Sequence, residues 1–290
     1  MEFRVIKLRL KGPLTEIPHA DTLFGSIASA LSLLFGEEAI EELVKTFMEG
    51  ARISSAFPFK GNIYYLPKPL VLNLLDSDYT TDLKQLKRAR FLDITNFKKA
   101  IFFEGNDKIE VPFSLPYVEV SVPRAGVDRV NSNSSLFFWN EVRFEEDAGI
   151  YFLYSGPNRT FKEKIKPAIR LLADSGISGK GTWGFGLFEP EFEKLRLKLP
   201  ESQYSVTLSN VIPTKTPILW KILRKGGWSF GKRKPKIAFL TEGSIIKNDP
   251  GKFEVVDLGL PHTVYIYGMS FSIPIKLPEH IMNMIGSEGV

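Results

Sequence analysis

The order in which apolar periodicity changes along the chain constrains its fold most. Phe3, Val5, Leu8 and Leu10 alternate with Arg4, Lys7 and Arg9, the period of a half-buried strand, until Gly12-Pro13 breaks it. Leu23, Phe24, Ile27, Leu31, Leu34 and Phe35 then recur at helical spacing behind Asp21, a residue suited to cap that helix, and Gly36 ends it. Glu37 opens a second short helix, with Ile40, Leu43, Val44 and Phe47 as its apolar face. After a charged, weakly patterned stretch, residues 135–155 read as a hairpin. Its strands are Leu136-Phe137-Phe138-Trp139 and Ile150-Tyr151-Phe152-Leu153-Tyr154, and it turns at Asp147-Ala148-Gly149. Ile165, Ile169, Leu172 and Ala173 give another helix, which Pro167 kinks or begins and Gly176 stops. Phe188, Phe192, Leu195, Leu197 and Leu199 alternate as a closing strand.

That order is βαββαβ, the ferredoxin-like arrangement shared by RNA-recognition modules. The fold class expected is therefore α+β, with a first domain at 1–199 carrying an insertion around 70–134. Pro200-Glu201-Ser202-Gln203 reads as a linker to a strand-rich unit at 200–290. The second unit is either a degenerate ferredoxin-like fold or a smaller sheet packed on the first.

Composition narrows the chemistry. No cysteine is present and only His19, His262 and His280 supply imidazoles, so disulfides, thiolate metal sites and cysteine nucleophiles are excluded. No cofactor, metal or catalytic residue is expected. The longest uncharged apolar stretch, residues 22–35, is too short and serine-rich to span a bilayer, and the first residues do not resemble a secretory signal, which points to the cytoplasm. Lys and Arg total 38 against 33 Asp and Glu, a net charge of +5. Such a modest excess implies an anionic partner only where it is clustered.

Clustering is found. Lys221, Arg224, Lys225, Lys232, Arg233, Lys234 and Lys236 fall within seventeen residues that contain no acid and enclose Trp228 and Phe230, a mixture suited to single-stranded RNA or to a solvated basic hairpin. A second candidate is the run from Gly176 to Gly186, with five glycines in eleven residues. Backbone N–H groups at Gly179, Gly181, Thr182 and Gly184 can approach phosphate, Lys180 adds charge, and Trp183 offers a stacking face. The loop joins a helix to a strand, so it is neither a Walker loop nor a dinucleotide fingerprint. Pro123-Arg124-Ala125-Gly126-Val127-Asp128-Arg129 reads as a protruding loop whose Arg124 and Arg129 can bridge phosphates, unless Asp128 pairs with one of them. His19, just before a helix N-terminus, can donate to a phosphate or serve in acid–base cleavage of RNA, although a lone histidine more often supports a cap.

Pro18-His19-Ala20-Asp21-Thr22-Leu23-Phe24-Gly25, Ile53-Ser54-Ser55-Ala56-Phe57-Pro58-Phe59, Tyr65-Leu66-Pro67-Lys68-Pro69, Val122-Pro123-Arg124, Asp128-Arg129-Val130 and the glycine loop together resemble RAMP-superfamily proteins of CRISPR systems. Arg224-Lys225-Gly226-Gly227-Trp228, Glu242-Gly243-Ser244 and His262-Thr263-Val264-Tyr265-Ile266-Tyr267-Gly268 narrow the resemblance to the fourth-subunit family of type III-A (Csm) effector complexes. It extends over essentially the whole chain. The resemblance implies two ferredoxin-like domains, the second degenerate, with a glycine-rich loop and an inserted thumb-like hairpin. It further implies a non-catalytic subunit that holds the 5′ handle of the CRISPR RNA and contacts the large polymerase- and HD-domain subunit and the repeated RAMP backbone subunit. The RNA-binding residues expected are His19, Arg124, Arg129, Gly179, Lys180, Gly181, Thr182, Trp183, Gly184, Lys232 and Arg233. Two other classes compete with this scaffold: a metal-independent RAMP endoribonuclease processing precursor CRISPR RNA with His19, and a subunit with purely protein–protein contacts.

Overall fold

The computed structural model describes residues 1–103, 108–127, 134–177, 179, 181–229, 231–260, 262–279 and 281–283. Its elements run β1 (Glu2–Leu10), α1 (Ala20–Phe35), α2 (Glu38–Met48), β2 (Arg52–Ile53), β3 (Phe57–Lys60), β4 (Ile63–Pro67), α3 (Leu83–Arg88), β5 (Phe91–Asp93), α4 (Ile94–Phe102), β6 (Tyr117–Val127), β7 (Ser134–Phe144), β8 (Ala148–Ser155), α5 (Asn158–Thr160), α6 (Lys166–Ser175) and β9 (Phe188–Arg196). After residue 200 come β10 (Tyr204–Thr207), β11 (Ile222–Ser229), β12 (Lys232–Leu240), β13 (Ile245–Lys247), β14 (Glu254–Val256), β15 (Val264–Ile266) and β16 (Ser272–Pro274). The protein is thus a mixed α and β structure built on antiparallel pairing.

The main sheet has the order β5-β4-β3-β8-β1-β9, with β2 also on β8. β1 lies one strand in from the β9 edge, antiparallel to both β8 and β9. Its alternation is imperfect because Ile6, Lys7 and Leu8 are all buried, so both of its faces are covered there. Lys7, expected on an outward face, is 1% exposed. Its ammonium lies 4.7 Å from the Phe59 ring centroid and 3.3 Å from a Glu193 carboxylate oxygen, so charge and π-face replace the lost water.

The hairpin expected at 135–155 does not form. β7 pairs along its full length with β6, whereas β8 pairs with β1, β2 and β3. The two aromatic runs differ in kind. In β8 an unbroken apolar run is buried from Ala148 to Tyr154, as a core strand requires, while β7 leaves Leu136 and Phe138 largely exposed on a two-stranded arm. Residues 117–127, expected partly as a loop, form the other strand of that arm, and residues 128–133, with the expected Asp128 and Arg129, lie outside the described residues.

Two helix boundaries also carry physical detail. Asp21 does not cap α1: His19 occupies the N-cap position without a side-chain cap bond, and the Ala20 N–H donates to Ser55 Oγ at 2.9 Å. Pro167 sits in the first turn of α6, directly after a π-helical turn over Phe161–Ile165 in which the Lys166 N–H donates to the Phe161 carbonyl.

Residues beyond 200 share the core of the first part. Tyr267 stacks on Phe24 at 5.2 Å, meets Phe47 edge-on at 5.6 Å, and through its hydroxyl accepts from the Ile53 N–H and donates to the Ile53 carbonyl. β11 and β12 form a separate two-stranded hairpin. No helix among the described residues is long and apolar enough to cross a membrane.

Candidate nucleic-acid interface

The glycine loop and the β6–β7 arm meet at the end of β1. Lys11 N–H donates to Leu187 O at 2.8 Å, Gly186 N–H to Pro13 O at 2.9 Å, and Leu14 exchanges backbone bonds with Val142. Close packing accounts for much of the glycine content. A Cβ on Gly186, which has φ +71°, would collide with the Ile177 carbonyl, and one on Gly12 would stand 2.6 Å from the Gly184 oxygen. The Gly176, Gly184 and Gly186 amides are spent within this fold, on Leu172 O, Gly181 O and Pro13 O. Gly179 and Gly184 have nothing near the place of a Cβ, although Gly184 needs glycine for its φ of +80°. Gly181 begins a 3-10 turn through Thr182 to Trp183. Lys180 and Arg129 lie outside the described residues.

Trp183 is 66% exposed and touches Trp139 of β7, ring centroids 5.0 Å apart in an edge-to-face arrangement. Arg124 lies on β6 with its guanidinium carbon 5.5 Å from the Trp139 centroid. Its orientation is set from below. Glu141, 2% exposed, accepts from Arg124 Nη2 at 3.0 Å through one oxygen and from Arg143 Nε and Nη2 at 3.0 and 2.8 Å through the other. Burial alone raises the Glu141 carboxyl, but the two arginines hold it net below the usual carboxylate range. Sequence reasoning had Arg124 and Trp183 but missed Glu141 and Trp139, because strand register, not local composition, brings them together.

A groove of about 510 Å³ leads from the base of this arm, at Val120, Ser121, Asn140 and Glu141, to His19 and Glu242. His19 Nδ1 lies 2.7 Å from Glu242 Oε1, and Ser55 donates its hydroxyl to the same oxygen. Burial works against a charged imidazole here, yet Glu242 outweighs it and raises His19. Burial likewise pushes Glu242 up, and His19 and Ser55 bring it net below its usual value. The expected phosphate site at this helix N-terminus is not available in the form anticipated: Ala20 N–H is taken by Ser55, and Asp21 N–H by Asn210 Oδ1 at 3.2 Å.

Beside it, Lys225 Nζ pairs with Asp21 at 2.9 Å and donates to the Thr22 hydroxyl. Of the two basic residues expected at the hairpin tip, Lys232 donates to the carbonyls of Leu258 and Gly259 at 2.7 and 3.0 Å, whereas Arg233 is exposed. The expected residues therefore fall into three places, the loop and arm, the His19 groove, and the β11–β12 hairpin. The groove joins the first two, and the Lys225–Asp21 pair ties the third to the start of α1.

No family model matches the chain. Among curated proteins, the CRISPR system Cms protein Csm4 of Thermococcus onnurineus (strain NA1) is 53% identical, covering 96% of this chain and 98% of the relative. The protein of the same name from Methanocaldococcus jannaschii is 24% identical over 81% of this chain and 80% of its own. Among solved structures, a chain from a Csm1-Csm4 cassette in complex with pppApA aligns with a TM-score of 0.81 and 46% identity, covering 96% of this chain and all of that one. A chain from a Csm3-Csm4 subcomplex of the type III-A CRISPR-Cas interference complex has the same fold, with a TM-score of 0.65 and 21% identity over 96% of this chain and 100% of that chain. With more than half of its residues identical to a Csm4 protein over nearly its whole length, the chain belongs to the Csm4 family of CRISPR system proteins.

Proposed function

We propose that this chain is a non-catalytic, RNA-binding subunit of a cytoplasmic type III-A effector complex. It holds the 5′ handle of the guide RNA and bridges the large polymerase-like subunit to the repeated backbone subunit. Family membership and the Csm1 and Csm3 assemblies of its structural relatives support the two protein contacts. The order β3-β8-β1-β9, with α1 and α6 as the intervening helices, supports a ferredoxin-like RAMP domain over 1–199, and the small separate sheets of β10 to β16 are assigned to a degenerate second domain over 200–290.

One observation carries the RNA reading: an exposed Trp183 seated against Trp139, whose ring Arg124 also meets, where a glycine loop meets a projecting arm. Trp183 presents a face on which an unpaired base stacks, a contact worth about 1–3 kcal/mol. Arg124, fixed by Glu141, keeps its remaining N–H groups for a neighbouring phosphate. Gly179, Gly181 and Thr182 let the backbone come close, and Lys180 and Arg129, outside the described residues, are assigned to supply charge. His19 spends Nδ1 on Glu242 and lines the groove along which the strand continues.

Crosslinking of guide RNA in the reconstituted complex tests this reading. Crosslinks are expected in the peptides bearing Trp183 and Arg124, and Trp183→Ala is expected to weaken guide binding at least fivefold without loss of folding. Absence of both peptides from the crosslink map overturns it. Cleavage of repeat RNA in EDTA that disappears in His19→Ala would replace it with the endoribonuclease reading.

A further inference from the structure

The β11–β12 hairpin sorts its cations by face. Lys225 pairs with Asp21, and the half-buried Lys234 lies on the same face of the hairpin, the face that is seated on α1. Lys232 is occupied by the carbonyls of Leu258 and Gly259. The register sets Trp228 opposite Arg233 and Arg224 opposite Ala238, on the face away from Lys225 and Lys234, since alternate residues share a face. A one-residue bulge at Pro235 and Lys236 lets a proline sit inside the strand without breaking the ladder.

This outward face has an unusual composition. Trp228 is 69% exposed, Trp220 just before β11 is 50% exposed, and Arg224, Arg233 and Lys236 are exposed. Among the described residues none of these three cations forms an ion pair with a carboxylate, whereas Arg9, Arg124 and Arg143 each do. Gly226, between Arg224 and Trp228, stands opposite the bulge, where a Cβ would lie 3.4 Å from the Lys234 carbonyl oxygen. Uncompensated guanidinium groups beside exposed indoles match phosphates alternating with base faces. An acidic protein surface would satisfy the charges and leave the indoles without a matching partner.

We propose that the outward face of the β11–β12 hairpin is a second grip on single-stranded guide RNA, separate from the Trp183–Arg124 cluster. It rests on the RNA-holding role proposed above. The test uses the complex reconstituted from full chains, with guide affinity measured across a salt series for Trp228→Ala, for Arg224→Ala/Arg233→Ala and, in parallel, for Trp183→Ala. Because these side chains are exposed, thermal unfolding is expected to stay unchanged. Trp228→Ala is expected to weaken guide binding fivefold or more. The double arginine variant is expected to reduce the slope of log affinity against log salt by about 1.4, two cations at about 0.7 each for a single strand. Unchanged affinity and slope in both hairpin variants overturn the inference, including the case in which they shed a protein subunit yet keep the RNA. If Trp183→Ala alone weakens binding, only this inference fails; if all three variants bind normally, the RNA-holding role fails with it.

Discussion

Removing the His19 imidazole tests whether this residue is an architectural partner of Glu242. In the folded protein His19 Nδ1 is 2.7 Å from Glu242 Oε1, and the two side chains are 28% and 12% exposed. His19→Ala leaves the carboxylate with Ser55 as its remaining side-chain donor. A charge-assisted bond in such a setting contributes about 2 kcal/mol, which for a chain of this size lowers the melting temperature by about 4 °C. Truncation also removes packing, so the pairwise part comes from a double-mutant cycle of His19→Ala, Glu242→Gln and the double variant, followed by thermal unfolding. Near pH 6 the coupling is expected to be about 1.5 kcal/mol.

The pH dependence has a definite sign. His19 is raised above its ordinary value of 6.5, so its contribution is complete below about pH 6.5 and is lost as pH rises through the raised value. Glu242 is lowered below 4.5, so its contribution is present above that pH and is lost as pH falls through the lowered value. Coupling should therefore peak between those limits and decline by pH 9 and by pH 3, by at most about 1.4 kcal/mol per pH unit for one proton. A coupling below about 0.3 kcal/mol at pH 6, or one that grows toward pH 9, would refute the reasoning.

Three further outcomes follow from the same geometry. Gly243 has φ +86° and a Cβ there would collide with the Lys68 carbonyl, while Gly231, at φ +75°, has open space; Gly243→Ala should cost about 3 kcal/mol and Gly231→Ala about 1 kcal/mol by denaturant unfolding. Glu141→Gln removes the charge that holds Arg124 over Trp139, so it should lower stability by about 1 kcal/mol and shift tryptophan emission. Asp21→Asn leaves Lys225 and the half-buried Lys234 without their shared counter-charge and should destabilise the chain by about 2 kcal/mol, with faster hydrogen exchange across β11 and β12 as the local readout.

Much of the framework was legible because it rests on local signals. β1, α1, α2 and β9 follow from periodicity and from Gly36 and Gly176, which both adopt positive φ where they end helices. What could not be read was pairing. Nothing within residues 135–155 says that β7 turns back to β6 while β8 joins β1, since both arrangements use the same alternating segments and differ only in distant partners. The site behaved in the same way. Trp183 and Arg124 stood out by composition, but the carboxylates Glu141, Glu242 and Asp21, which decide what the cations are free to do, are supplied by other segments.

Pairing decides what the net charge of +5 does. On β1 and the adjoining loop, Lys7, Arg9 and Lys11 are matched by Glu193, Glu191 and Glu189 of β9, a ladder that is close to neutral. On the arm, Glu141 neutralises one of two arginines. At the basic hairpin, Asp21 meets Lys225 on the inner face, and among the described residues Arg224 and Arg233 on the other face meet no carboxylate. Cations that are fully paired contribute little to the field at a distance, because the partner's opposite charge cancels theirs beyond a few ångströms and salt screens the remainder. The potential that attracts a polyanion is therefore set by the unpaired cations, and strand register, by deciding which face each lysine and arginine occupies, sets where that potential appears.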